Sequence, residues 1–151
     1  MMRKKNLYST LILSFVMLFS IGLSSCSKNE DTSNGLRKVR YEAVGNATGT
    51  ITFQFTPTME NPGYQDFEYD EYSEIAPLPW KKEVLHHPTQ EGGFSASIED
   101  AVPGQKITIS IYVHNELWGS HDGIVGPDGN VHLFMNYFKD GEVERGGPVY
   151  D

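Results

Sequence analysis

The sequence predicts an all-β protein, an immunoglobulin-like β-sandwich of about seven short antiparallel strands. Three observations lead there. Apolar and polar residues alternate strictly in "TITFQFT" and "KITISIYVH", the period of a half-buried strand. Clusters of Gly, Pro and Asn break the chain between such runs. No segment of respectable length carries helical periodicity, and a chain of short strands with frequent turns favours a sandwich. A small closed barrel is the alternative architecture.

Taken in order, "KVRYEAV" sets Val39, Tyr41 and Ala43 on one side and Lys38, Arg40 and Glu42 on the other. "TITFQFT" opposes Ile51, Phe53 and Phe55 to Thr50, Thr52, Gln54 and Thr56. The intervening "GNATG" has turn chemistry, so these two strands are expected to form a hairpin. Residues 57–79 read as a long connection or an irregular edge strand, with a turn at Pro62-Gly63. "PWKKEVL" opens a third strand, in which Trp80 is expected to pack in the core or at a sheet edge. "FSASIED" places Phe94, Ala96 and Ile98 together, and Pro103-Gly104 turns the chain. "KITISIYVH" is the strongest core strand, with Ile107, Ile109, Ile111 and Val113 inward. "NELWG" suggests a turn into a short strand, and "IVGPDGNVHLFMNYF" a final hairpin turning at Pro127 to Asn130.

The start of the chain has a different character. Arg3, Lys4 and Lys5 precede a mostly apolar run from Leu7 to Leu23, then small residues and Cys26. This is the layout of a secretory signal peptide, and seventeen residues of mixed polarity are short for a membrane span of ~30 Å. Cys26 is the only cysteine of the 151 residues, so it has no disulfide partner within the chain. Nothing around it supplies the base and orienting group that a catalytic thiol needs. "LSSC" resembles the lipobox of bacterial lipoproteins. The resemblance implies cleavage before Cys26, a diacylglycerol on its sulfur and acylation of the new amino group. It divides the chain into a lipoprotein signal peptide at 1–25, a flexible tether at 26–36 and one β-sandwich domain at 37–151. Two or more acyl chains anchor a protein stably. "SKNED" after Cys26 is similar to the export signal of surface lipoproteins of the Bacteroidota. It implies the outer membrane, with the cell surface favoured over the periplasmic face.

After such cleavage nine basic and twenty acidic residues remain. That balance argues against nucleic acid as a partner and against direct docking on anionic lipid.

A second resemblance concerns the domain. "VRYEAVGNATGTITF", "PLPWKKEV", "FSASI" and "KITISIYVHNEL" look like a family of small secreted or membrane-anchored β-sandwich proteins. That family includes the mycobacterial small membrane proteins that accompany lipid transporters, and small lipoproteins of Bacteroidota. Val39, Tyr41, Glu42 and Gly45 carry its first element, Ile51 to Phe53 the second, Pro79 and Trp80 the third, and Ile107 to Asn115 the fourth. Glu116 replaces a common turn glycine, residues 58–76 are longer than the family's connection, and the C-terminal cysteine pair of the mycobacterial branch is missing. The resemblance implies the fold; a transporter partnership does not carry over.

Candidate chemistry is sparse. Tyr64, Phe67, Tyr69, Tyr72 and Trp118 are candidates for a binding surface, because aromatic rings beside acids suit sugars or protein partners. Asp66, Glu68, Asp70 and Glu71 are candidate calcium ligands, although the EF-hand spacing is missing. The five histidines lack a zinc spacing; His121-Asp122 is the most suggestive pair, and the histidines otherwise read as exposed polar residues. No "GxSxG", "HExxH" or phosphate-binding glycine loop occurs. The expected role is therefore non-catalytic: binding, scaffolding or accessory service to an envelope protein or glycan. A calcium-dependent carbohydrate-binding module and, below it, a carboxylate-dependent glycoside hydrolase are the rivals. No cofactor other than calcium is suggested.

Overall fold

The computed structural model describes residues 35–61 and 72–147, and every regular element in them is a strand. In chain order these are β1 (Arg37–Gly45), β2 (Thr50–Phe55), β3 (Ser73–Ile75), β4 (Trp80–His86), β5 (Gly92–Glu99), β6 (Lys106–Val113), β7 (Glu116–Ile124), β8 (Val131–Tyr137) and β9 (Val143–Gly146). They form two antiparallel sheets, one ordered β4-β1-β6-β7 and the other β3-β2-β5-β8-β9. The sheets pack face to face as a β-sandwich. The count rises from about seven to nine because β3 and β9 are short edge strands with little alternation to announce them.

The core is the apolar phase of each alternation. Val39, Tyr41 and Ala43 of β1, and Ile107, Ile109, Ile111 and Val113 of β6, are buried from the four-stranded sheet. Ile51, Phe53 and Phe55 of β2, Phe94, Ala96 and Ile98 of β5, and Leu133, Met135 and Tyr137 of β8 meet them from the five-stranded sheet. Trp80 is a core residue, as expected. Its ring stacks on Phe53 with centroids 4.3 Å apart. Such a pair contributes ~0.5–1.5 kcal/mol beyond its buried area.

Two expected hairpins are absent. β1 pairs with β4 and β6, and β2 pairs with β3 and β5, so the "GNATG" segment carries the chain from one sheet to the other. The amides of Asn46 and Ala47 bond Lys106 O, holding that crossing against the start of β6. Residues Pro127 to Asn130 likewise lead from β7 in one sheet to β8 in the other. The hairpins that do form are β6–β7 and β8–β9. The first turns on His114 and Asn115, both at positive φ (51° and 69°), as a tight turn compatible with strand twist requires. A bulge between Ile111 and Tyr112 then leaves Trp118 without a register partner on β6.

β7 approaches the other sheet unusually closely. A Cβ on Gly119 would lie 2.8 Å from both Met135 and Val143, and one on Gly123 would lie 2.8 Å from Leu133. Only glycine leaves room for those side chains at this seam.

Candidate binding face

The outward phase of the same alternations builds two different surfaces. On the four-stranded sheet it carries Lys38, Arg40 and Glu42 of β1, Lys81 and Glu83 of β4, and Tyr112 of β6. Lys38 pairs with Glu83 at 3.1 Å, and Arg40 Nε lies 3.4 Å from a Glu42 oxygen. The Arg40 guanidinium also sits over the Tyr112 ring, 4.1 Å from its centroid. Lys38, Glu83, Arg40 and Glu42 are thus answered by neighbouring charges, and the outward aromatic ring is capped.

The five-stranded sheet shows neutral groups in the middle of its face, with Glu99, Glu144 and the exposed Ile75 toward its margins. Register places Thr52, Ser97 and His132 in one row across β2, β5 and β8. Gln54, Ser95, Phe134 and Gly146 form the next row, extending onto β9. Ser97 Oγ lies 2.8 Å from His132 Nδ1, and Ser95 Oγ lies 3.4 Å from Gln54 Oε1. The ring of Phe134 lies across Gly146, where any Cβ would collide with it. It is half-buried from below, and among the described residues no cation lies over it. The His132 ring is its neighbour, with centroids 6.4 Å apart. At the end of the first row a groove of about 390 Å³ opens, lined by Ser97, Glu99, Asp100, Asn130 and His132 together with Ile98 and Val131. Asp100 has φ 58°, a conformation that aspartate tolerates better than most residues. The exposed Asp128 carboxylate receives Asn130 N and Nδ2, both at 3.1 Å, and these bonds hold its pKa below the usual range.

Between the sheets lies a polar set built around His86, a histidine expected from its polarity to be exposed. His86 is 0 % exposed, in phase with Trp80 and Val84 on the inner side of β4. Its Nε2 is 2.7 Å from Pro57 O, and Nδ1 meets the Tyr137 hydroxyl of β8. A carbonyl can only accept, so Nε2 carries the proton and Tyr137 donates to Nδ1. Burial first of all lowers the His86 pKa to about 4, and burial raises that of Tyr137. Tyr41 adds a second link, donating to Thr56 O at 3.2 Å. Arg37 adds a third, donating to Lys139 O at 2.8 Å. Thus exposed polarity is the wrong reading for His86; strand phase, visible in "WKKEVLH", is the signal that finds it.

The other candidates divide as follows. His121 pairs with Ile109 and faces inward, its Nε2 buried without a hydrogen-bond partner among the described residues, whereas Asp122 faces outward and accepts from Thr108 Oγ1 at 2.7 Å. Adjacent strand residues point oppositely, so this pair does not converge on one ion. Among the described residues no group of three His, Cys, Asp or Glu side chains could hold a metal. Cys26, Tyr64, Phe67 and Tyr69, with the calcium candidates Asp66, Glu68, Asp70 and Glu71, lie outside the described residues. Tyr72 is half-buried just before β3. Trp118 is half-buried on β7, edge-on to Tyr137 at 5.8 Å and under the Arg37 guanidinium at 5.4 Å. β3 and β7 lie at opposite lateral edges of the sandwich, so the structure does not bring Tyr72 and Trp118 together.

The sequence matches no protein-family model and no curated protein.

Proposed function

We propose that this chain is an acylated outer-membrane lipoprotein, displayed at the cell surface, whose β-sandwich binds a partner without catalysing a reaction. The observation that carries the reading is "LSSC" at the end of a complete basic-then-apolar leader, eleven positions before β1 begins at Arg37. Residues 26–36, if extended, reach at most about 40 Å, enough to stand the sandwich off a membrane. The acidic balance of the remaining chain accords with attachment through acyl chains rather than through surface charge.

The binding half of the proposal draws on the five-stranded sheet. Its outward groups in the middle of the face are hydroxyl, amide, imidazole and one ring, without the ion pairs that occupy the other sheet.

Labelling cells with a palmitate analogue tests attachment: label on the wild-type chain and none on C26S is the expected outcome. Label retained by C26S removes Cys26 as the anchor. Protease treatment of intact cells tests display, and a chain that survives until lysis refutes the surface location. Crosslinking and recovery from cells, against an unrelated lipoprotein, then tests for a macromolecular partner.

A further inference from the structure

We infer that the outer face of the five-stranded sheet is a metal-independent binding site for an uncharged glycan, with Phe134 as its stacking platform. The inference deepens the binding role proposed above by naming the face and the ligand class.

Four observations converge on it. First, the row Thr52-Ser97-His132, with Ser95 in the next row beside Phe134, presents donors and acceptors that carry no fixed charge. Sugar hydroxyls both donate and accept, and hydroxyl, amide and imidazole groups complement them without the desolvation cost of an ion. Second, strands in a sheet lie about 4.8 Å apart, close to the length of one hexose unit. A linear glycan crossing β2, β5 and β8 along the first row therefore meets Thr52, Ser97 and His132 in turn.

Third, Phe134 has the posture of a platform. Gly146 lets its ring lie down on β9, and no guanidinium or ammonium occupies its outer side among the described residues. Its counterpart Tyr112 on the other sheet is capped by Arg40. An open ring offers rigid apolar area to the C–H face of a pyranose at little entropic cost. Fourth, the row containing Ser97 and His132 runs into the groove of about 390 Å³, giving the chain end of a glycan a place to seat. Glu99 and Asp100 at the groove set the sign of selectivity. They disfavour uronic acids and sulfated sugars, and they leave neutral hexoses and pentoses as the fitting class.

The test uses the full-length chain purified in detergent, with cellohexaose, mannohexaose, xylohexaose, maltohexaose and hexagalacturonate as probes. Calorimetry and saturation-transfer NMR read binding. At least one neutral hexasaccharide is expected to bind, with the aromatic Phe134 protons receiving saturation. Phe134→Ala should weaken that binding about tenfold or more. Ser97→Ala and His132→Ala should weaken it less, and Arg40→Ala on the opposite face should leave it unchanged. EDTA should also leave it unchanged.

No binding by any neutral probe overturns the inference, as does full affinity in Phe134→Ala once its thermal unfolding shows a folded protein. Binding abolished by EDTA, or preference for hexagalacturonate, overturns it too. These outcomes are independent of the palmitate label and of protease treatment. A glycan failure alongside a labelled, crosslinkable chain therefore sinks this inference alone, while an unlabelled chain that binds glycan sinks only the anchoring.

Discussion

The two sheets share one core but treat water differently. The four-stranded sheet carries two ion pairs on its outer side, beside a Ser110–Ser120 hydroxyl pair and exposed Val44, Leu117 and Ile124, and caps its outward Tyr112 with Arg40. The five-stranded sheet leaves neutral groups and a Phe134 with no cation over it, among the described residues, in the middle of its face, and carries its acids, Glu99 and Glu144, toward the margins. Outward positions of a sandwich are not needed for the core, so they are free to be satisfied within the protein or kept for a ligand. The first sheet satisfies several of its outward charges within the protein; the second is the face proposed above for a ligand.

What joins the two sheets is as informative as what separates them. Besides apolar contact, His86–Tyr137, Tyr41–Thr56 and Arg37–Lys139 each run from one sheet to the other or its connections. Across the lateral edge, Glu74 of β3 pairs with Lys82 and accepts Trp80 Nε1 at 3.2 Å, both from β4. The Lys82 bond in particular keeps the Glu74 carboxyl below its usual pKa.

The largest expected effect is acid separation of the sheets. The His86 pKa falls from 6.5 in the unfolded chain to about 4 in the fold. Its neutral, bonded state therefore stabilises fully above pH 6.5, and that contribution is lost as pH falls toward 4. The loss is on the order of 3 kcal/mol. Urea unfolding of wild type and His86→Gln across this window should converge as pH drops; parallel curves would remove His86 as the cause.

Next comes the glycine seam. Gly123→Val should destabilise the protein by about 1–3 kcal/mol, since Leu133 must give way, and an unchanged melting temperature would show that β7 does not press on β8. Tyr137→Phe leaves His86 Nδ1 unpaired in the interior and should cost about 1–3 kcal/mol in the same assay.

Smaller effects distinguish the outer faces. Molar salt should weaken the charged face by less than about 1 kcal/mol, and Arg40→Ala should abolish that dependence in part. Ser97→Ala, which removes an exposed bond to His132, should change stability by no more than about 0.5 kcal/mol. A larger loss would mean that the neutral face is structural after all.

Much of this architecture is legible in the residues. "KITISIYVH" and "TITFQFT" state which side faces the core, because a half-buried strand imposes a period of two. They do not state which strand lies beside which. "GNATG" has the chemistry of a tight turn, yet Lys106 of a distant segment decides that it bridges two sheets. His86 was within reach of phase reasoning, but polarity argued more loudly than position. β9 was not within reach: Val143 is the lone apolar residue of its four, and pairing with β8 alone makes it a strand. The neutral face is the hardest case. Thr52, Ser97 and His132 each read as outward, but only the pairing of β2, β5 and β8 makes them neighbours.

The placement of β1 has a mechanical side. It is an interior strand with seven register partners on β4 and seven on β6. Tension arriving through residue 36 therefore enters the middle of a sheet rather than a free edge. It must slide a strand against two neighbours at once, which loads many hydrogen bonds in parallel, whereas an edge strand would peel one bond at a time. If the domain hangs by this end, as proposed, the pull falls on a strand paired along both sides.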